Sequence, residues 1–330
     1  MRALLFGLAF VAAIAAAKEP APPYAGRADV RAFVQDMVQR HGFVERELDF
    51  IFARARRVDV ALKAVATPAS ARAWADYRAN FVNERQLGAG VEFWRAHQAA
   101  LARAANEYGV PEEIIVAIIG IETFYGRQTG KWRVIDALTT LAFDYPPRAP
   151  YFRGELENYL LMSRDRGTDV FALRGSWAGA IGIPQFMPGS YLKFAVDFDS
   201  DGVIDLSGNP ADAIGSVANF LKQHGWKPGE TIVLGAEVQG DAYRPYVDGQ
   251  VLPRHTLEEL AQAGVAAKGG QAAAGAKAAL IELETPGKPS DFRIGFDNFY
   301  VITRYNRSSF YATSVADLAA ALRARYPGGR

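Results

Sequence analysis

Pro111-Glu112-Glu113-Ile114-Ile115-Val116-Ala117-Ile118-Ile119-Gly120-Ile121-Glu122 is the stretch on which the reading of this chain turns. Proline suits the first turn of a helix, where its missing N–H costs nothing, and Glu112 and Glu113 favour the positive end of the helix dipole. Ile115, Ile118, Ile119 and Glu122 follow the i, i+3, i+4, i+7 spacing, so the carboxylate shares a stripe with three isoleucines. A carboxyl on such a buried face loses hydration in its charged form. Its pKa rises, and it can hold a proton near neutral pH as a general acid must. The competing reading is a helix-end glutamate that pairs with Arg127, or meets solvent where the helix terminates near Gly126.

Further along, Ser176-Trp177-Ala178-Gly179-Ala180-Ile181-Gly182-Ile183-Pro184-Gln185-Phe186-Met187-Pro188 packs small residues and prolines into a tight backbone that another surface can approach closely. By itself such a stretch also fits a packed loop without a ligand. Asp197-Phe198-Asp199-Ser200-Asp201-Gly202-Val203-Ile204-Asp205 then sets acids at positions 1, 3, 5 and 9, glycine at 6 and a backbone carbonyl at 7. That is the first three quarters of an EF-hand calcium loop. Gly208 stands at position 12 in place of the usual glutamate, so the loop must borrow a later acid, and Asp212 is the nearest. The alternative is an acidic Asx turn without metal, but crowded carboxylates without a cation repel.

The 330 residues are half apolar and 12% aromatic, with 37 Lys+Arg against 36 Asp+Glu and no cysteine. Such a chain folds around a core and leaves no bulk positive field for nucleic acid or an anionic membrane. Disulfides and cysteine-ligated metal are excluded. Arg2, the apolar Leu4 to Ile14 and the small Ala15-Ala16-Ala17 before Lys18 read as a secretory signal over residues 1–17, too short to span a bilayer. Helical patterns run through Arg31 to Arg57, Pro68 to Asn83 and Val91 to Tyr108, which predicts a helical N-terminal domain over 18–104. The catalytic core with the calcium loop is expected over 105–228, and a small β-containing insertion over 229–293, with runs at Thr231 to Leu234 and Ala279 to Leu283 around an Ala/Gly/Lys stretch. The last part of the core, 294–330, should hold a short buried run from Phe299 to Arg304 and a helix from Ser314 to Arg325 capped by Thr313 or Ser314.

In this order, the motifs resemble the lytic murein transglycosylase B family, lysozyme-like enzymes with membrane-bound and soluble members that cut peptidoglycan. The resemblance runs from Tyr77 to Trp226 through Ile119-Gly120-Ile121-Glu122-Thr123, Asp136-Ala137-Leu138, Ser176 to Ser190 and Asp212 to Asn219, and resumes at Ile302-Thr303-Arg304-Tyr305-Asn306. It implies a mainly α (α+β) fold: a lysozyme-like helical core, a helical N-terminal domain and a small inserted β domain. It also implies roles. Glu122 matches the family's acid/base; Ser176, Gln185 and Asn306 match polar groups of the sugar cleft; Tyr77, Tyr145, Tyr305 and Tyr311 match its aromatic lining. The calcium loop falls on Asp197, Asp199, Asp201, the Val203 carbonyl and Asp212. The chain departs from the family form in one additional residue before Asp212 and in Phe220, which replaces a tyrosine.

With one carboxylate, the implied reaction is the non-hydrolytic cleavage of the bond between N-acetylmuramic acid and N-acetylglucosamine, which leaves a 1,6-anhydro end. A hydrolytic muramidase would need a second acid such as Asp144 or Asp165, and a non-catalytic wall-binding protein would need none. The expected partners are peptidoglycan strands and the cell-wall synthesis proteins that recruit the enzyme, with no nucleic acid and no organic cofactor. Since family members anchored by lipid carry a cysteine after their signal, the resemblance implies a soluble periplasmic monomer without a stable membrane anchor.

Overall fold

The computed structural model describes residues 24–66, 73–273 and 275–326. The expected signal segment and the start of the Pro68 to Asn83 pattern lie outside the described residues. The chain groups into two compact units that meet in sequence between Arg57 and Val58.

The first unit pairs α1 (Ala28–His41) with α2 (Glu45–Arg54). Gly42 ends α1 in the left-handed region at φ 67°, which glycine reaches without steric cost, so the single helical pattern of Arg31 to Arg57 breaks in two there. Phe33 and Phe52 meet edge to face at 6.0 Å between the two.

The second unit opens with α3 (Asp59–Val65), α4 (Trp74–Ala79), α5 (Glu84–Ala96) and α6 (Gln98–Tyr108). Next comes α7 (Glu112–Thr123), whose Ile115, Ile118 and Ile119 are wholly buried. Each of those side chains contributes about 1.5–3 kcal/mol by leaving water. Pro111 sits one place earlier than expected, as the residue before the helix. Glu112 is buried as well, and it accepts a hydrogen bond from Trp94 Nε1 at 2.5 Å. A two-residue ribbon of β1 (Trp132–Arg133) and β2 (Arg174–Gly175) brackets α8 (Val134–Asp144) and α9 (Ala149–Asp165). Then follow α10 (Pro188–Phe194) and α11 (Pro210–Gln223), the latter capped by Asn209, whose side chain accepts from Ala211 N–H.

The expected β insertion is an antiparallel five-stranded sheet in the order β4-β6-β7-β3-β5. Its strands are β3 (Val233–Val238), β4 (His255–Thr256), β5 (Val265–Lys268), β6 (Lys277–Leu283) and β7 (Asp291–Gly295), with α12 (Leu257–Gln262) between β4 and β5. Leu234, Leu260, Val265, Leu280 and Ile294 form the sheet's own core.

The chain returns through α13 (Asp297–Tyr305) and α14 (Ser309–Arg325), which packs along α7, α5 and α4. The expected buried run from Phe299 is present and lies within α13, whereas α14 begins at Ser309, five residues before the expected Ser314. Ser308 is the cap, accepting from Tyr311 N–H, while Thr313 spends its hydroxyl on the carbonyl of Ser309 one turn back. The earlier start places Phe310 and Tyr311 in the first turn of α14. Arg78 of α4 and Arg293 of β7 both reach Asp317 of α14, at 2.5 and 3.7 Å, fastening the sheet and α4 to the returning helix.

Candidate active site

Glu122 is the penultimate residue of α7, and the chain behind it is forced into an uncommon path. Phe124 and Tyr125 have φ of 50° and 61°, in the left-handed region that non-glycine residues seldom occupy. Contacts of Thr123, Tyr125 and Gln86 hold this path. Thr123 Oγ1 donates to the carbonyl of Ile183 at 2.8 Å and accepts from Gly126 N–H at 2.9 Å, tying the end of α7 to the Gly/Pro-rich segment. Tyr125 folds back over α7, where a Cβ on Gly120 would lie 2.6 Å from its ring, so glycine is required there. Gln86 completes the brace by donating to the Gly120 carbonyl at 2.7 Å and accepting from the Tyr125 hydroxyl at 3.1 Å. Strain of this kind persists only where neighbours over-determine it.

The Glu122 side chain is half-buried, with one side open to a hollow of 220 Å³ lined by Asn80, Phe81, Gln86, Phe124 and Gln128. Around its carboxyl the enclosure is dense. Loss of hydration raises the pKa to about 7, against the opposing effect of the Tyr311 hydroxyl, which donates to Oε1 at 2.7 Å. Arg127 does not pair with it; that guanidinium meets Glu92 at 3.2 Å instead.

From Tyr311 the aromatic lining continues to Tyr305, stacked at 6.4 Å with 13° between the planes, and on to Phe220 at 4.8 Å. Tyr305 donates its hydroxyl to the carbonyl of Pro184 at 2.5 Å, which fixes the ring against the Gly/Pro-rich segment. A second hollow of 660 Å³ opens beside it, lined by Gln185, Phe186, Phe220, Tyr305 and Asn306 among others. Gln185, at φ 53°, donates its amide to the carbonyls of Thr129 and Gly182. The Asn306 amide is exposed and has no partner among the described residues, which leaves it free for a ligand.

Thus Glu122, Tyr311, Tyr305, Gln185 and Asn306 are brought together. Tyr77 joins them at one remove, its ring 5.3 Å from Phe81 and 5.6 Å from Phe310. Ser176 and Tyr145 line neither hollow: the Ser176 hydroxyl accepts from Ala178 and Ala180 N–H and shapes its own turn. Sequence reasoning missed Gln86, Phe124 and Gln128 around the acid, and Arg148, Tyr151, Arg304 and Arg307 around the second hollow. Only Arg304 lay within a motif that had drawn notice. Asp144 and Asp165 also line neither hollow; Asp165 is exposed at the end of α9 beside Arg164.

In the acidic loop, Asp197, Asp199 and Asp212 bring one oxygen each within 4.8 Å of the others. Asp212 is fully buried and accepts from Phe198 N–H and Asp205 N–H, both at 2.7 Å. Burial, followed by the charges of Asp199 and Asp197, pushes its pKa up in spite of those bonds. Asp201 stands outside the trio and turns its carboxylate to Val203 N–H at 2.8 Å, while Asp205 holds Ser207 and Gly208 N–H. The loop is shaped by its backbone, with Arg103 and Arg166 donating to the carbonyls of Phe198 and Ile204 at 2.5 and 2.6 Å, while its carboxylates form no ion pair among the described residues. Such a donor set fits calcium.

The family model of the transglycosylase SLT domain matches residues 25–320. Membrane-bound lytic murein transglycosylase B of Escherichia coli K12 is 42% identical over 311 residues, covering 91% of this chain and 84% of that protein. The structure of E. coli lytic transglycosylase Slt35 in complex with calcium superposes with a TM-score of 0.82 at 42% identity, over 92% of this chain and 95% of the other. SltB3 from Pseudomonas aeruginosa, solved with NAG-anhNAM-pentapeptide, superposes with a TM-score of 0.76 at 29% identity, over 91% of this chain and 79% of the other. With the lysozyme-like core, the acid at the end of α7 and a match over most of its length, the chain belongs to the transglycosylase SLT domain family.

Proposed function

We propose that this chain is a peptidoglycan lytic transglycosylase that cleaves the β-1,4 bond between N-acetylmuramic acid and N-acetylglucosamine. The observation that carries the reading is Glu122: it is the only carboxylate among the residues lining the two hollows, and its pKa of about 7 lets it both give and take a proton. Because Tyr311 donates to Oε1, Oε2 is the oxygen that carries the transferable proton. Glu122 protonates the glycosidic oxygen, the bond to muramic C1 breaks and the glucosamine end departs. As a carboxylate held by Tyr311, Glu122 then takes the proton of the muramic 6-hydroxyl while that oxygen bonds to C1. The ring closes to a 1,6-anhydro end, and Glu122 is protonated again for the next cycle.

The sugar rests on Tyr305 and Phe220, whose faces suit the apolar side of a pyranose, and Asn306 and Gln185 offer it amide groups. Ser176, Tyr145 and Tyr77 shape the cleft from further away. The NAG-anhNAM-pentapeptide bound to SltB3 of P. aeruginosa supports the same product here. The absence of a second lining carboxylate weighs against a water-using muramidase. We infer also that Asp197, Asp199 and Asp212, with Asp201 and the Val203 carbonyl, hold a structural calcium that neutralises the loop, in keeping with the calcium complex of the E. coli relative.

No helix among the described residues is long and apolar enough to cross a membrane. The signal-like residues 1–17 and the location of peptidoglycan are the grounds on which we place the protein in the periplasm. Mass spectrometry of purified sacculi after digestion tests the activity. Fragments about 18 Da lighter than the reducing muropeptides of a hydrolytic cut are expected, because the 6-hydroxyl closes on C1 and no water is added. Reducing muramic ends would assign water as the acceptor, and undigested sacculi would assign a binding protein.

A further inference from the structure

A third hollow, of 400 Å³, lies next to the second and shares Arg304 and Arg307 with it. Its other wall is residues 249–252, in the segment between β3 and β4, and its end is the start of α14 at Ser308 and Ser309. None of its lining residues is acidic. The guanidinium of Arg304 is held in place, stacked 4.1 Å over the Tyr300 ring and bonded through Nη2 to Thr303 Oγ1 at 2.9 Å. Its Nε is buried and has no acceptor among the described residues. A buried N–H without a partner costs free energy that an incoming acceptor returns. Arg307 is exposed, close enough to Tyr151 for its charge to act on that hydroxyl. Asp248 borders the 249–252 wall, where its carboxylate accepts from Gln250 N–H at 2.7 Å and faces Arg254 at 3.6 Å, and Glu155 accepts from Gly189 N–H at 2.8 Å; neither acid lines the second or third hollow. The first turn of α14, capped at Tyr311 N–H by Ser308, adds its partial positive charge. Two guanidinium groups, one of them preset by Tyr300 and Thr303, and a helix N-terminus thus border a hollow with no carboxylate in its lining and Asp248 at its edge.

The geometry points to a carboxylate site: the third hollow takes a free carboxylate of a peptide stem whose muramic sugar occupies the second hollow. This rests on the peptidoglycan reading above. Peptide stems end in a carboxylate and carry others along their length, and a planar carboxylate matches the paired N–H groups of an arginine fork. The two shared arginines place such a group within one stem of the sugar. Residues 249–252 would make the β insertion part of the substrate surface.

The test compares kcat/KM on intact stem-bearing strands with kcat/KM on strands stripped of their stems by an amidase, using the full chain. The wild type should favour stem-bearing strands. Leu252→Glu adds a carboxylate to the third hollow alone, and should lower the ratio about tenfold, chiefly through KM, with turnover of stripped strands kept. Arg307→Gln and Arg304→Gln should lower the same ratio. A wild-type ratio near one, or a ratio unmoved in Leu252→Glu and Arg307→Gln, overturns the proposal while leaving the activity intact. Failure of the wild type to release anhydro ends from either substrate removes the peptidoglycan reading and this site with it.

Discussion

Tyr311 donates its hydroxyl to Glu122 Oε1 across 2.7 Å, joining two residues 189 positions apart in sequence. The bond runs from the first turn of α14 to the last turn of α7. Two effects meet on one carboxyl: enclosure favours the protonated form and the tyrosine favours the anion, leaving a pKa of about 7. The Tyr311 hydroxyl is itself buried beside that carboxyl, which pushes its own pKa far up, so it stays a donor at every working pH.

Replacing Tyr311 by phenylalanine removes the group that favours the anion. The pKa of Glu122 should then rise, and the alkaline limb of the activity profile should move to higher pH. The carboxylate formed after the first proton transfer also loses a charge-assisted hydrogen bond of about 1.5–3 kcal/mol, which corresponds to roughly a ten- to hundredfold fall in turnover. Rate against pH for Tyr311→Phe and wild type on purified sacculi reads both effects. An alkaline limb that stays where it was would mean that Tyr311 does not govern the acid.

The place of Glu122 was legible because a helical stripe is a local pattern: four positions suffice to put the acid among Ile115, Ile118 and Ile119. Its partner was not, since nothing near Tyr311 in sequence distinguishes a hydroxyl that meets an acid 189 residues away from one that merely packs. The start of α14 was misplaced for a related reason. Thr313 and Ser314 look like caps, yet both are buried, and the helix is extended backwards by aromatic docking of Phe310 on Trp74 at 5.3 Å. The β insertion was visible in its apolar runs, whereas the pairing of β3 with both β5 and β7 is a matter of long-range register. Arg304 and Arg307 carry no signal of their own, because isolated arginines are usually solvated. Only the fold sets them on one hollow.

Asn306 ends α13, with its carbonyl accepting from Ser308 N–H at 2.7 Å and its amide open to the second hollow. Asn306→Ala should leave that backbone contact intact and remove a sugar-orienting group. Turnover should fall by about one to three orders of magnitude, roughly 1.4 kcal/mol for each tenfold, with the melting temperature nearly unchanged. Turnover equal to the wild type would take Asn306 out of the site.

Calcium should raise the melting temperature of protein first stripped with a chelator, since an ion that binds only the folded loop stabilises it by mass action, about 2.7 kcal/mol at a hundred times the dissociation constant. Magnesium, smaller and stricter in its octahedral geometry, should do so poorly. Asp199 is exposed and belongs to the trio, so Asp199→Ala should abolish the shift without opening the core. A calcium shift that survives in this variant would place the ion elsewhere.

Glu122→Gln keeps the shape of the side chain and cannot exchange a proton. Release of anhydromuropeptides should therefore stop while wall fragments still bind. Stability should change in the opposite sense. In the folded state the carboxyl titrates at about 7, above the ordinary value of 4.5, so between those two pH values the folded chain holds a proton that the unfolded chain has lost. The wild type must then lose stability as pH rises through that window, and above it must bear the whole cost of a charged, poorly hydrated carboxylate. Glutamine removes that cost, which is on the order of 1–3 kcal/mol. The variant should melt a few degrees above the wild type at pH 8 and close to it at pH 4.5. Melting curves at the two pH values decide this, and equal melting temperatures at pH 8 would mean that Glu122 is hydrated well enough to ionise freely and is not held as an acid by its surroundings.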